Sequence, residues 1–90
     1  MKTLHRTSQF KKDVKRMERR GKDFSQFKEI IHQLALGQAL DIRYRDHALI
    51  GQYQRMRECH LEPDWLLMYE ATQSEIVLVR IGSHSDLFDK

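Results

Sequence analysis

The chain has 90 residues, 40% of them hydrophobic, with one proline, four glycines and one cysteine. That is one domain with a modest core and ordinary globular composition, which excludes a disordered chain. No apolar run approaches the roughly 18 residues that cross a membrane, no leader pattern opens the chain, and the lone Cys59 excludes an internal disulfide, so a cytoplasmic protein is expected. The net charge of +3 is unevenly placed: residues 1–36 hold ten Lys/Arg against four Asp/Glu, and residues 37–90 hold six against nine. The N-terminal block could follow a phosphate backbone or simply be a solvated helix face.

Met1 to Arg6 can form a first strand. Thr7 or Ser8 offers an N-cap oxygen. Phe10, Val14 and Met17 then repeat at spacings of four and three, giving one helical face, with Lys11, Lys12, Lys15, Arg16, Arg19 and Arg20 over much of the rest. Gly21 can end this helix in the left-handed conformation. Asp23 and Gln26 have capping-box spacing, and Phe24, Phe27, Ile30, Ile31 and Leu34 make the stripe of a second helix that Gly37 can close. Such a helix hairpin needs a sheet to cover its apolar faces.

Residues 37–51 show no period and read as a loop. Gln52 to His60 is mixed in character and reads as a strand from its position before the turn Glu62-Pro63-Asp64. Trp65 to Tyr69 is almost wholly apolar, as a central strand buried on both faces would be. Ile76 to Ile81 is a β-branched strand, Gly82 breaks it, and a short tail carries His84 and Phe88. The expected class is α+β in the order β-α-α-β-β-β, with a helix pair on one face of a small sheet and the other face open.

Five histidines stand at 5, 32, 47, 60 and 84. His32 reads as a helix-surface residue. His47, His60 and His84 share the C-terminal half with Asp64 and Arg80, and a histidine cluster suits proton transfer near neutrality. RNA cleavage needs few parts, because the 2′-hydroxyl nucleophile comes with the substrate. A base takes the 2′ proton, an acid protonates the leaving 5′ oxygen, and a cation stabilises the charge on phosphorus. Arginine suits the last task through its planar, permanently charged fork. Each residue also has a plainer explanation: Asp64 as a turn former, Arg80 as a solvated strand edge, Trp65 as core, Phe88 as a hydrophobic plug. A zinc site on His47, His60 and His84 lacks the close spacing such sites show. Cys59 and His60, adjacent on a strand, would point to opposite faces. No metal ligand set and no cofactor is expected.

Three stretches carry a more specific pattern: Tyr44-Arg45-Asp46-His47-Ala48-Leu49, Arg57-Glu58-Cys59-His60-Leu61-Glu62-Pro63-Asp64-Trp65, and Arg80-Ile81-Gly82-Ser83-His84 with Phe88. Together with Phe10-Lys11-Lys12-Asp13-Val14 they resemble the YafQ branch of the RelE/ParE toxin superfamily over nearly the whole chain. The resemblance implies a RelE-like fold with a mostly antiparallel sheet and an mRNA interferase, the toxin of a type II toxin–antitoxin pair. Such a toxin cuts mRNA in the ribosomal A site without a metal, leaves a 2′,3′-cyclic or 3′-phosphate and a 5′-hydroxyl, and is blocked by an antitoxin through which the pair binds operator DNA. Position by position, it implies a catalytic set of His47, His60, Asp64, Arg80, His84 and Phe88. His84 would be the acid, Asp64 with His60 or His47 the base or its orienting group, Arg80 the phosphate clamp, and Phe88 a platform for a base. The basic helix would contact 16S ribosomal RNA. Ala48 stands where proline is expected and Tyr53 where tryptophan is common. The competing readings are a ParE-like toxin that binds gyrase without chemistry, and a basic RNA-binding module.

Overall fold

A computed structural model describes residues 1–49, 51 and 55–88. Strand β1 (Thr3–Arg6) leads into helices α1 (Ser8–Arg19) and α2 (Ser25–Ala35). A 3₁₀ turn at Ile42–Tyr44 is followed by β2 (His47–Ala48), β3 (Arg57–Glu62), β4 (Trp65–Ala71), β5 (Glu75–Gly82) and α3 (His84–Phe88). The sheet order is β1-β5-β4-β3-β2. β1 runs parallel to β5 and the other pairs are antiparallel. No helix among the described residues is long and apolar enough to cross a membrane.

Local chemistry explains the helix ends. The Thr7 hydroxyl accepts from the Phe10 N–H at 2.9 Å and donates to the Val79 carbonyl at 2.8 Å, so one side chain caps α1 and ties it to β5. Gly21 and Gly37 follow α1 and α2 with φ of 78° and 74°, the left-handed stop their positions suggested. The expected capping box at Asp23 does not form. Its carboxylate instead accepts from the Ser25 N–H and hydroxyl, and α2 starts without a side-chain cap.

Strand β4 divides the core. Trp65, Leu67 and Tyr69 face the helices and pack with Phe10, Met17, Ile30, Leu34, Ile76, Leu78 and Ile81. Phe24 meets Trp65 edge-on at 5.3 Å, so Trp65 is core rather than a stacking platform. Each such side chain contributes about 1.5–3 kcal/mol of burial. Leu66 and Met68 face the other way, under Leu87 of α3 with Leu49, Met56, Val79 and Phe88 around them.

Two features correct the sequence reading. The 37–51 loop contains a two-residue strand, β2, and the C-terminal tail is a helical turn, α3, that covers part of the face expected to be open. The third strand begins at Arg57, and the earlier part expected for it, Gln52 to Gln54, lies outside the described residues, as does Tyr53.

Candidate active site

Register builds the site. Directly opposed residues on neighbouring strands share a face. His47 opposes Glu58, Glu58 opposes Met68, and Met68 opposes Arg80, which makes one row across β2, β3, β4 and β5. The next row runs from His60 through Leu66 to Gly82. Leu66 and Met68 of these rows face away from the helix-side core, whereas the Arg80 guanidinium reaches to Asp13 of α1. Cys59, between Glu58 and His60, points to the helix-side core and is fully buried.

The imidazole rings form a chain along this face. Ring centroids are 6.0 Å apart for His47 and His60, 6.1 Å for His60 and His84, and 6.4 Å for His84 and Phe88. Glu58, whose side chain is only 8% exposed, sits between the first two: its Oε1 lies 3.3 Å from His47 Nε2 and 3.4 Å from His60 Nε2. His47 Nδ1 is 2.6 Å from the Arg45 carbonyl. A carbonyl can only accept, so Nδ1 carries a proton, while Nε2 faces the Glu58 carboxylate. The loop bearing His47 is fixed by Asp46, which accepts from Tyr69 Oη at 2.6 Å and Arg57 Nε at 3.3 Å. His60 Nδ1 is buried with no hydrogen-bond partner among the described residues, and the Glu58 carboxylate faces its Nε2.

His84 is held from the opposite direction. Asp64 Oδ1 accepts from its backbone N–H at 2.9 Å and from its Nδ1 at 2.6 Å. Those two bonds, the backbone one first, hold the Asp64 carboxyl below its ordinary range. They also leave Nε2 as the ring nitrogen turned to solvent. Helix α3 is positioned by a capping box: Ser83 Oγ accepts from the Asp86 N–H at 3.1 Å while Asp86 Oδ2 accepts from the Ser83 N–H at 2.9 Å. Gly82 makes this turn possible, since a Cβ there would lie 2.9 Å from Asp86 Cβ.

Arg80 is clamped by a carboxylate the sequence reading passed over. Asp13, buried to 0% exposure, accepts from Arg80 Nε at 2.8 Å and Nη2 at 3.1 Å, from Arg16 Nη2 at 2.7 Å, and from the Ile81 N–H at 3.2 Å. Burial alone would raise the Asp13 carboxyl, but the Arg80 hydrogen bonds, the Ile81 amide and Gln9 outweigh it and the net shift is downward. Asp86 takes two bonds from Arg20, at 2.7 and 3.0 Å. Arg16 and Arg20 are therefore engaged by carboxylates, whereas Lys11, Lys12, Lys15 and Arg19 stand exposed on α1.

The structure thus brings His47, His60, Asp64, His84 and Phe88 together, while Arg80, opposite Met68 in register, has its guanidinium bound to Asp13. It pairs Asp64 with His84 rather than with His60 or His47, and the carboxylate serving those two is Glu58. Ala48 pairs with Arg57 in β2, so the loop forms its strand without the expected proline.

Residues 2–89 match the family model described as the bacterial toxin of the type II toxin–antitoxin system, YafQ. The chain belongs to the YafQ toxin family. It is 36% identical over 84 residues to the mRNA interferase toxin YafQ of Escherichia coli K12, covering 91% of this chain and 90% of that one. Its fold is similar to that of a copper-bound mutant toxin from Helicobacter pylori, with a TM-score of 0.94 and 40% identity over 98% of this chain and 100% of the other. It is also similar to a chain of the E. coli DinJ–YafQ complex, with a TM-score of 0.91 and 34% identity over 98% and 99% of the two chains. Within this YafQ framework, Glu58 and Asp13 are the residues that motif reading missed. Glu58 lies two residues before His60 on one strand, a spacing that puts both on one face. Asp13 lies among Phe10, Val14 and Met17 on the buried stripe of α1, where a carboxylate must find partners.

Proposed function

We propose that this chain is an mRNA interferase: an endoribonuclease that cleaves mRNA in the ribosomal A site by 2′-hydroxyl attack, with no metal in the reaction. The observation that carries the reading is His84, whose Nδ1 is bound to Asp64 at 2.6 Å, leaving Nε2 to deliver a proton on the face that holds His47, Glu58 and His60. In the reaction the 2′ oxygen attacks phosphorus as its proton passes to the Glu58 carboxylate, which His47 and His60 flank at 3.3 and 3.4 Å. The P–O5′ bond breaks and His84, as the imidazolium with its Nδ1–H on Asp64, gives its Nε2 proton to that oxygen, yielding a 2′,3′-cyclic phosphate and a 5′-hydroxyl. Asp64 fixes the tautomer and orientation of His84, as a carboxylate does for a catalytic histidine elsewhere. Arg80, oriented by Asp13, stabilises the charge on the phosphorane oxygens, and Phe88 stacks on an unpaired base.

His47 and His84 are about half exposed, so the site gains from a partner that presents the substrate aligned. We assign that part to the ribosome, with Lys11, Lys12, Lys15 and Arg19 on 16S rRNA, and place the protein in the cytoplasm. A cognate antitoxin binds and blocks it, and contact with operator DNA runs through that antitoxin.

Cleavage of mRNA in a translating extract, with EDTA present and 5′ ends mapped, tests this. Wild type should cut inside codons only when ribosomes are present, and His84→Ala should lose about 10²–10⁴ in rate with its fold intact. Growth arrest without cleavage, or with His84→Ala fully toxic, would return the chain to the gyrase-binding or plain RNA-binding readings.

A further inference from the structure

His47 is aimed at Glu58 by a residue in an unusual conformation. Arg45 has φ 52° and ψ 42°, and among the described residues it is the one non-glycine with positive φ. That left-handed geometry crowds a side chain against its own backbone and favours glycine. Here it closes the 3₁₀ turn, with the Arg45 N–H donating to the Ile42 carbonyl at 3.0 Å. It also places the Arg45 carbonyl 2.6 Å from His47 Nδ1. The bond that orients the imidazole therefore depends on a backbone arrangement that an arginine disfavours. Such an arrangement persists only where its surroundings over-determine it.

Those surroundings lie on the other side of the sheet. Ala48 opposes Arg57 and Arg57 opposes Tyr69, a row on the helix side. Asp46 alternates with His47 and so reaches this row. Its Oδ1 accepts from Tyr69 Oη at 2.6 Å and from Arg57 Nε at 3.3 Å. Tyr69 is 1% exposed and packed in the larger core cluster, so its phenol is a fixed point. Burial first, then the bond to Asp46, pushes that hydroxyl above the ordinary tyrosine range, and it stays a donor. The Arg45 side chain itself is exposed, and β2 is only two residues long. The Asp46 bonds are thus the connection from this turn to the core.

We propose that Tyr69 and Arg57 are positioning residues for the base end of the site: through Asp46 they hold Arg45 left-handed, and so keep His47 Nδ1 on the Arg45 carbonyl and its Nε2 on Glu58. The orientation of His47 can be measured without RNA. Its effect on cleavage rests on the ribonuclease reading above, so the two can fail separately.

Nitrogen-15 NMR of the histidine rings in the purified full chain tests the orientation. Wild-type His47 should show a hydrogen-bonded Nδ1–H. Tyr69→Phe removes one hydroxyl and keeps the ring in the core. It should convert the His47 signal to that of a freely exchanging imidazole, while His84, held by Asp64, keeps its own. Asp46→Ala should do the same, and Asp46→Asn, which retains an acceptor oxygen, should largely preserve the wild-type signal. Arg45→Gly separates positioning from general loosening, because glycine takes the left-handed turn without strain. Added to Asp46→Ala, it should recover the His47 signal. Circular dichroism checks the fold of each variant, and Asp46→Ala carries the test if Tyr69→Phe unfolds. An unchanged His47 signal in folded Tyr69→Phe and Asp46→Ala, or no recovery on adding Arg45→Gly, overturns the proposal. In single-turnover cleavage on ribosomes, Tyr69→Phe should slow the chemical step about tenfold with ribosome affinity unchanged. A displaced His47 with the wild-type rate overturns the link to catalysis while the positioning stands. No cleavage by wild type strikes the ribonuclease reading instead, and the NMR signals still decide the positioning.

Discussion

Arg80 and His47 stand at the two ends of one row across the sheet, and they are held very differently. At the arginine end, β5 and α1 enclose Asp13, and Arg80, Arg16, Gln9 and the Ile81 amide all converge on that one buried carboxylate. The histidine end hangs on a strand of two residues and a loop pinned by Asp46. On the proposed roles, the phosphate clamp would be anchored on a buried carboxylate, and His47, about half exposed, would stand on the rim. The difference follows from the tasks. A clamp must not relax when charge develops on phosphorus, while acid and base must exchange protons with water after each turnover.

The comparison breaks most sharply at Asp13. Asp13→Asn keeps the shape but removes the charge that two arginines share. We expect it to cost about 3 kcal/mol of stability, because partly buried guanidinium groups lose their counter-charge, and about 100-fold in cleavage rate through misplacement of Arg80. Urea unfolding and single-turnover cleavage measure both. The wild-type acid limb provides a second check. Asp13 has its pKa lowered, as does Asp86 through its bonds to Arg20, so the native state binds fewer protons than the unfolded chain in that range. Their contribution is complete above the ordinary carboxylate value of about 4 and is lost as the pH falls through the depressed native values. Stability should therefore be flat against Asp titration above about pH 5 and fall below about pH 4, and Asp13→Asn should make that fall shallower. An unaltered acid limb would show that Asp13 is not the anchor.

This arginine end was also the part least legible in the sequence. Helices α1 and α2 could be read from apolar spacing, because a face of Phe10, Val14 and Met17 has only one regular solution. The apolar run from Trp65 placed β4. The six candidate residues could be named because three short motifs resemble a known family, and the fold brings five of them, all but Arg80, into one cluster. Periodicity could not see β2 or α3, which at two and five residues are too short to repeat. The basic face of α1 concealed Asp13, and it concealed that Arg16 and Arg20 already have carboxylate partners. Glu58 was hidden by a search for histidines alone, although its alternation with His60 was available.

A smaller effect is expected midway along the site, at Gly82. A Cβ there would lie 2.9 Å from Asp86 Cβ and 3.0 Å from its Oδ2. Asp86 cannot simply rotate away, because it caps Ser83 and binds Arg20. Gly82→Ala should therefore displace α3 as a unit, at about 1–2 kcal/mol of stability and about tenfold in cleavage. Thermal unfolding and the His84 amide resonance report the shift. A wild-type rate with an unmoved His84 amide would mean that α3 need not hold its place for His84 to act.

The smallest effect is expected behind the site, one residue from its base. Cys59 adjoins both Glu58 and His60 in sequence, yet strand alternation sends it to the opposite face, where it is fully buried among core side chains. Burial first, then the neighbouring carboxylates of Asp46 and Glu58, push its thiol up to about 12. The reactive species is the thiolate, so at pH 8 the native thiol is almost wholly protonated, whereas the unfolded chain carries a thiol of ordinary pKa, about 8.5. Iodoacetamide should leave the folded protein unlabelled on the timescale that fully labels it in urea. Cys59→Ala should leave cleavage within about twofold, at a stability cost of about 1 kcal/mol for the small cavity. Rapid native labelling, or a large loss of cleavage in folded Cys59→Ala, would mean that the two faces of β3 are not separated as the register requires, and that the chemistry extends through the sheet rather than across it.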